Sequence, residues 1–451
     1  MNTWYDKAVF YHMYPLGMTK AAKANIPLSE PDRPAGHRFE DLNRWIPHMK
    51  DLNCSAVYIG PLFESSTHGY DTRDFRLVDR RLGTNDDFKT FVRLCHEDGI
   101  RVVVDGVFNH TGREFFAFRD IQINRETSPY RDWYKGINFS WGSPLGDSFG
   151  YESWHGIWEL PCLNLWNPEV KNYLLDTVRF WVSEFDIDGI RLDCANVLDF
   201  QFMKELRQTA NSVKPDFWLM GEVIHGEYSR WVNDEMLHSV TNYEMHKSIY
   251  SAHNDHNYFE LAHNVRRLEA VGRSLYTFVD NHDEDRIASK LKNPAHLFPV
   301  YALLYTLPGI PSVYYASEWA IEGRRTKTCD DMLRPAIDSS EFAARECKLT
   351  EQIRTLGRIH AEEEALHGGL YKELLLTNRQ YAFARLGTGY FLVTAANNDD
   401  QPSSLSVPLP GPTGQTECTD LITGKTYSIE QNRIHIELEG NDAAILRITE
   451  G

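Results

Sequence analysis

The chain has 451 residues, of which 47 are basic and 64 acidic, and its formal charge is −17 at neutral pH. This charge repels phosphate backbones and anionic lipid headgroups, so the composition argues against nucleic acid and membrane surfaces as partners and leaves neutral, polar molecules as candidates. The length allows two or three domains, because a barrel fold often uses about 250 residues for one of them.

The N-terminus and the cysteines indicate the cellular compartment. The first seven residues carry neither the basic start nor the apolar core of a signal peptide, and no apolar run of about 18 residues occurs in the chain. The seven cysteines are widely spaced and form no CxxC pair, which is typical of reduced thiols. We therefore expect a cytoplasmic protein without disulfides or a structural zinc site.

Short β-branched or apolar runs alternate with amphipathic stretches up to about residue 360, a pattern typical of βα units around a parallel sheet. Eight such runs predict a closed (β/α)8 TIM barrel of the α/β class. The predicted strands are Ala8–Tyr14, Ala56–Ile59, Arg101–Asp105, Asp188–Asp193, Phe217–Gly221, Ser239–Thr241, Leu275–Val279 and Ile310–Tyr314. Apolar residues at three- and four-residue spacing predict helices at Asp86–Glu97, Pro168–Phe185, Phe259–Val271 and Phe342–Leu366.

One connection is too long for a simple βα loop. About 55 residues, 109–163, follow the third predicted strand with no long helical period but with many aromatic residues and glycines. We predict a small inserted subdomain that projects from the strand ends, which carry the active site in barrel enzymes. Most of its aromatic residues are expected to form a mini-core.

After His367-Gly368-Gly369 the helical pattern gives way to alternating strand-like runs. These runs predict a C-terminal antiparallel β-sandwich over residues 368–451. The barrel would then comprise residues 1–108 and 164–367. The predicted strands of the sandwich are Leu370–Leu376, Tyr381–Leu386, Tyr390–Ala395, Ile434–Leu438 and Ala444–Ile448.

Charged residues stand where the predicted barrel strands end. In Asp188–Asp193, the two-residue period of a strand places Arg191 and Asp193 on the same face. Because a buried charge persists when it is paired, we expect Arg191 to keep Asp193 ionised, as a nucleophile requires. An inward ion pair that only stabilises the barrel explains this strand equally well.

Three further strand ends carry acids or histidines. Glu222 follows the apolar run Phe217–Gly221, where desolvation is expected to raise its pKa toward that of a proton donor. Negative charges concentrated at one end of the barrel lower its stability, so a purely structural role does not explain why these acids occur together. Two carboxylates of opposed pKa fit cleavage of a glycosidic bond through an oxocarbenium-ion-like transition state. The other residues of this rim are Asp105, His110, His282 and Asp283.

Taken together, these residues resemble the α-amylase family, glycoside hydrolase family 13, over essentially the whole chain. The four motifs that carry the resemblance are Asp105-Gly-Val-Phe-Asn109-His110, Gly189-Ile-Arg191-Leu-Asp193, Gly221-Glu222-Val223 and Phe278-Val-Asp280-Asn281-His282-Asp283. The run Leu192-Asp193-Cys194-Ala195-Asn196 is similar to the branch of cytoplasmic maltodextrin-degrading members that contains cyclomaltodextrinases and neopullulanases.

The resemblance implies a retaining mechanism. Asp193 would be the nucleophile, Glu222 the general acid and then base, and Asp283 would stabilise the transition state through the sugar's hydroxyls. Arg191 would orient Asp193, and Asp105 would fix Arg191. The residues implied to contact the sugar ring are Tyr70, from the segment His68-Gly-Tyr-Asp71, together with His110 and His282.

The resemblance departs at the places linked to calcium. Where many members carry an acid this chain has Cys162, and the Lys-His pair that often closes the nucleophile motif is Asn196-Val197. Calcium requires oxygen ligands. We therefore expect no metal and no other cofactor, and we interpret Asn109 as a structural residue.

The leading hypothesis is hydrolysis of α-glucosidic bonds, above all α-1,4 bonds, in maltodextrins or related α-glucans. A transglycosylase, a cyclomaltodextrinase or an α-1,6-acting member of the same family would pass through the same intermediate, and the sequence leaves these open. A non-catalytic amylase-like binding subunit is disfavoured, because Asp193, Glu222 and Asp283 are all present. The sequence favours neither a monomer nor a homo-oligomer.

Overall fold

The computed structural model describes residues 3–30, 36–327 and 329–451. In chain order its strands are β1 (Phe10–Met13), β2 (Ala56–Ile59), β3 (Phe63–Ser65), β4 (Thr72–Val78), β5 (Arg101–Gly106), β6 (Ser153–Trp154), β7 (Ile157–Pro161), β8 (Gly189–Leu192), β9 (Trp218–Gly221), β10 (Ser239–Val240), β11 (Tyr276–Phe278), β12 (Ile310–Tyr314), β13 (Leu370–Leu376), β14 (Gln380–Leu386), β15 (Tyr390–Asn397), β16 (Ser403–Pro408), β17 (Glu417–Asp420), β18 (Thr426–Glu430), β19 (Arg433–Leu438) and β20 (Asp442–Thr449). Its α-helices are α1 (Pro15–Met18), α2 (Phe39–Asn43), α3 (Ile46–Asp51), α4 (Asn85–Glu97), α5 (Phe116–Asn124), α6 (Pro168–Phe185), α7 (Phe200–Val213), α8 (Tyr243–Asn254), α9 (Phe259–Arg267), α10 (Ile287–Lys290), α11 (Leu297–Thr306), α12 (Phe342–Arg345) and α13 (Lys348–Glu362).

Eight parallel strands form the barrel in the order β10-β9-β8-β5-β2-β1-β12-β11. A parallel bridge between Thr241 and Tyr276 joins β10 to β11 and closes the ring. All eight strands predicted from the sequence are therefore confirmed. Alternate residues, among them Phe10, Val103 and Met220, pack into one cluster inside the barrel, whereas their neighbours in the strands pack with the surrounding helices.

The covering helices agree with the predictions in two places and differ in two. Helix α6 has the predicted bounds, and α4 begins one residue earlier than predicted, after the capping box of Thr84. Helix α9 ends at Arg267 rather than at Val271. The single helix predicted over Phe342–Leu366 is wrong, because the backbone is extended at Cys347, which caps α13 as a new helix.

The segment between β5 and α6 contains α5 and the hairpin of β6 and β7. The sequence showed no long helical period here, and the nine-residue α5 is therefore an addition to the prediction. Aromatic rings form the expected mini-core, with Phe118 against Tyr134, Phe149 and Tyr151.

The C-terminal strands form one antiparallel sheet in the order β13-β14-β15-β20-β17-β18-β19-β16. Side chains from β14 through β20 share one apolar cluster, and the two edge strands β13 and β16 approach each other. The predicted sandwich is thus a single sheet curled around its own core, and β16, β17 and β18 are strands that the sequence patterns did not reveal. The other face, including Tyr381 and Phe383, packs in the cluster of the barrel helices. No α-helix in the described part of the chain is long and apolar enough to span a membrane.

Candidate active site

The alternation along the barrel strands determines which polar side chains reach the interior. Val103 and Met220 belong to the apolar cluster inside the barrel, and Asp105 and Glu222 follow them by two residues, on the same face. Arg191 lies directly beside Asp105 in the parallel pairing of β5 and β8. The sequence therefore brings one cation and several carboxylates together at the carboxyl ends of the strands.

Arg191 is the centre of this cluster and is 3% exposed. Its Nη1 lies 2.9 Å from an oxygen of Asp105 and 2.9 Å from an oxygen of Asp193, and its Nη2 lies 3.0 Å from Glu222 Oε2. Tyr58 donates its hydroxyl proton to the other oxygen of Asp105 over 2.8 Å. One guanidinium thus fixes the relative positions of three carboxylates.

Asp193 and Glu222 lie close to each other. An oxygen of Asp193, an oxygen of Glu222 and the sulfur of Cys194 all lie within 4.8 Å of one another. Cys194 is in the left-handed conformation (φ 50°, ψ 39°), and its N–H donates to Glu222 Oε2 over 3.1 Å while its thiol donates to Asp193 Oδ2 over 3.0 Å. These three groups could ligate a cation, but the Arg191 guanidinium is already paired with both carboxylates and repels a second cation.

Glu222 and Asp283 have opposite electrostatic environments. Burial raises the pKa of Glu222 to about 7, against the opposing effect of Arg191, as the apolar context in the sequence led us to expect. Burial also acts to raise the pKa of Asp283, but His282 and Arg334 outweigh it and hold that pKa well below its usual range. At neutral pH the site therefore holds both a carboxyl group that can donate a proton and a firmly ionised carboxylate.

Asp283 is held from two sides. Arg334 Nη2 donates to Asp283 Oδ1 over 2.8 Å, and His282 Nε2 lies 3.0 Å from Oδ2. Asn281 Oδ1 accepts from the backbone N–H of Asp283 over 2.9 Å and so shapes the turn after β11. The guanidinium of Arg334 also lies over the ring of Tyr14, 4.5 Å from its centroid.

Tyr70 hydrogen-bonds within the cluster, and His110 lies beside it, close enough to interact with the charge of Asp193. The hydroxyl of Tyr70 lies 2.5 Å from His282 Nε2 and 3.2 Å from Asp105 Oδ2, and its ring stacks on His282 at 5.8 Å. His110 is buried with Nδ1 3.2 Å from Asn109 Nδ2. Its Nε2 has no hydrogen-bond partner among the described residues, and burial lowers its pKa.

Sequence reasoning missed Arg334, Tyr14 and Tyr58. Tyr14 ends the predicted first strand and Tyr58 lies within the second, so the two-residue period could have placed Tyr58 inside the barrel. Arg334 lies in an irregular loop after β12, which has no periodic signal. Two open depressions of about 760 and 440 Å³ share Arg334, Lys23 and Asp331, and they border the site on the side of Asp283.

The side chain of Asn109 faces a histidine and a cysteine. Its amide nitrogen lies 3.2 Å from His110 Nδ1 and 4.0 Å from Cys162 Sγ. Calcium takes about six to eight oxygen ligands, and the imidazole and the thiol beside Asn109 supply none.

A sequence profile described as alpha amylase, catalytic domain, matches residues 41–355. The chain belongs to the α-amylase family. It is thus a glycoside hydrolase by descent, as its sequence motifs predict, and the barrel with its strand-end carboxylates is the catalytic domain of that family.

Comparison with individual proteins shows which members of the family this chain is similar to. The chain is 29% identical to the cyclomaltodextrinase of Thermoanaerobacter pseudethanolicus, over 88% of this chain and 71% of the relative. It is 28% identical to the intracellular maltogenic amylase of Bacillus subtilis, over 78% of this chain and 63% of the relative. A solved cyclomaltodextrinase structure superposes with a TM-score of 0.86 at 27% identity and covers 98% of this chain and 78% of that chain.

Proposed function

We propose that the chain hydrolyses α-glucosidic bonds of maltodextrins with retention of anomeric configuration. This proposal rests on one distance: an oxygen of Asp193 and an oxygen of Glu222 lie within 4.8 Å of each other. Retaining glycosidases hold their two carboxyl groups about 5–5.5 Å apart, whereas inverting enzymes need about 6.5–9.5 Å to admit a water molecule between them.

Asp193 is the nucleophile in this mechanism and Glu222 the proton donor. An oxygen of Asp193 attacks the anomeric carbon while Glu222 gives its proton to the glycosidic oxygen, and the leaving sugar departs as an alcohol. Glu222, now ionised, then takes a proton from water. That water attacks the same carbon, which restores the hydroxyl of the product and frees Asp193.

The surrounding residues act on charge and position. Asp283, ionised because His282 and Arg334 hold it, accepts hydrogen bonds from the ring hydroxyls as positive charge develops on the sugar. Arg191 orients Asp193, and Asp105 fixes Arg191. Tyr70 supplies a face for the sugar ring, and the unpaired Nε2 of His110 supplies a donor or acceptor for a hydroxyl. We propose that no metal or other cofactor takes part.

The substrate assignment draws on the relatives and on chemistry. Cyclomaltodextrinases and maltogenic amylases are named for α-glucans, and a neutral sugar suits a chain of charge −17. We propose the α-1,4 bond as the main target. The alternatives are opening of cyclomaltodextrins, cleavage of α-1,6 bonds and transfer to a sugar acceptor, all of which pass through the same intermediate. The relative named intracellular supports a cytoplasmic location.

The test is an NMR time course of the purified protein with maltohexaose that follows the anomeric configuration and the length of the products together. Short products that first appear as the α-anomer are expected. Initial β-anomers would contradict retention, and products longer than the substrate would move the protein to the transferases. Absence of any reaction would refute the maltodextrin assignment, and α-1,6-linked glucans would be tested next.

A further inference from the structure

Trp166 is the most exposed large apolar side chain in the described part of the chain. It lies in the loop between β7 and α6, and 81% of its surface is accessible to water. Leaving an indole in water forfeits the free energy that its burial would supply. An indole that is exposed and also held in one orientation calls for a functional explanation.

One hydrogen bond orients this indole. Its Nε1 donates to Asp199 Oδ2 over 3.1 Å. The other oxygen of Asp199 accepts from the N–H of Phe202 over 2.9 Å and so caps helix α7. The ring is therefore tied to the N-terminus of a helix while its faces remain in solvent, so that a ligand stacking on it loses little additional conformational entropy.

The position of Trp166 relative to the carboxylates follows from the same contact. Asp199 lies five residues after Cys194, whose amide donates to Glu222, and five residues span at most about 18 Å. Strand β8, which leads to Asp199, pairs in the ring with β9, which leads to Glu222, so Trp166 lies on the Glu222 side of the site. Arg334 follows β12, which lies four places from β8 in the ring of eight strands. The open depressions near Arg334 are therefore on the opposite side, that of Asp283.

The Glu222 side carries further exposed apolar side chains. Val197, three residues after Cys194, is 43% exposed, and Ile224, two residues after Glu222, is 42% exposed. The proton donor faces the leaving group of the reaction, so this apolar rim borders the part of the glucan that departs. On the Asp283 side, one depression is lined by charged groups such as Arg334 and Asp331, and the other combines these groups with buried apolar side chains such as Leu16.

We propose that Trp166 is an aromatic platform for a glucose unit on the leaving-group side of the glucan, several units from the broken bond. This inference rests on the proposed function. A pyranose ring presents an apolar face of C–H bonds, which stacks on an indole and displaces water from both surfaces. The same platform binds an incoming sugar acceptor, because acceptor and leaving group occupy the same positions.

Two consequences distinguish this role from a structural one. Chains long enough to reach Trp166 gain binding energy from it, whereas maltotriose gains none. Transfer to maltodextrin acceptors depends on the platform, whereas transfer to water does not. The effect of losing the indole therefore grows with the length of the substrate.

The experiment compares Trp166→Ala, Trp166→Phe and the control Phe259→Ala, which removes a 47% exposed ring at the start of α9. Values of kcat/KM are measured for maltotriose through maltoheptaose. We expect Trp166→Ala to lower kcat/KM for maltoheptaose about ten-fold and to leave maltotriose within about two-fold. Trp166→Phe, which keeps an aromatic face, should recover most of the loss, and Phe259→Ala should behave as the parent at every length.

Binding to Glu222→Gln protein, measured by calorimetry with maltoheptaose, separates stacking from chemistry. Adding Trp166→Ala should weaken binding about ten-fold, and adding Phe259→Ala should not. Equal losses at all chain lengths, or a change in oligomeric state by light scattering in place of a kinetic change, would overturn the inference. If the parent protein neither cleaves nor binds maltodextrins, the proposed function itself fails; if it cleaves them and Trp166→Ala matches Phe259→Ala, only the platform fails.

Discussion

Buried histidines occur in two regions of this molecule and have different partners in each. At the carboxyl end of the barrel, His282 contacts the charged Asp283 and the hydroxyl of Tyr70. At the junction of the barrel with the C-terminal sheet, the half-buried His256 and the buried His296 both face the backbone carbonyl of Asn398, at 2.5 and 3.3 Å.

The two clusters differ in whether the histidines contact a neutral or a charged partner. A backbone carbonyl accepts a hydrogen bond from an imidazole and brings no full charge to the junction. A carboxylate and a guanidinium beside a histidine instead fix charges in a small space, at a cost in stability. Changes at the strand ends should therefore affect rate, and changes at the junction should affect stability.

The largest expected effect is on rate at the strand ends. Glu222→Gln keeps the shape of the side chain and removes its proton, so we expect kcat/KM for maltohexaose to fall by about 10³-fold or more. The melting temperature should remain that of the parent. Glu362→Gln, an exposed acid of α13, is the matched control, and an undiminished rate in Glu222→Gln would refute its assignment as the acid.

The second effect tests the hold on Asp283. Arg334→Ala removes the guanidinium 2.8 Å from that carboxylate, so the pKa of Asp283 should rise and kcat/KM should fall about 100-fold. The acid limb of the pH–rate profile should also move to higher pH. Arg324→Ala, in the exposed loop after β12, should change neither; a similar loss in both variants would mean that the loop as a whole is required.

The third effect is a pH dependence of the unmodified protein. With burial raising the pKa of Glu222 to about 7, the proton needed in the first step is lost as pH rises through that value. We expect kcat/KM to fall about ten-fold per pH unit above neutrality. A rate that stays constant up to pH 9 would assign the proton donor to another group.

The smallest effect concerns stability at the junction and elsewhere in the core. Burial lowers the pKa values of His238, His253 and His360 to about 3 in the folded chain, against about 6.5 when unfolded. Between these values the unfolded chain binds more protons, so stability is full above about pH 6.5 and falls as pH decreases toward 3.

His253→Asn tests this linkage. The amide keeps a donor for the carbonyl of Ile249 but does not titrate, so the loss of unfolding free energy between pH 7.5 and 5 should shrink by about 1–2 kcal/mol in urea titrations. The exposed His263→Asn should retain the pH dependence of the parent. Activity at pH 7 should be unchanged in both variants, and a change in kcat would break the separation between the two regions.

The barrel and the carboxylates could be predicted because both follow from local order in the sequence. Eight short apolar runs mark the strands, and the two-residue period places Asp105 and Arg191 inside. Arg334 could not be found in this way, because it reaches Asp283 from an irregular loop some fifty residues away in the chain. The break before α13 was missed since it depends on Thr350, whose hydroxyl donates to the carbonyl of Glu318 after β12. The exposure of Trp166 likewise could not be predicted, because it depends on how the loop before α6 packs beside the start of α7.

The barrel closes between β10 and β11 through few contacts, and this affects how easily the active site can change its width. Strand β10 has two residues, and Thr241 and Tyr276 form the bridge that completes the ring. This seam lies between the strand that delivers Glu222 and the strand that delivers Asp283. We therefore expect local motion at this seam to change the gap between proton donor and ionised carboxylate while the rest of the ring stays paired. Slow amide exchange along β2 and β5 and faster exchange at Thr241 and Asn242 would be its signature.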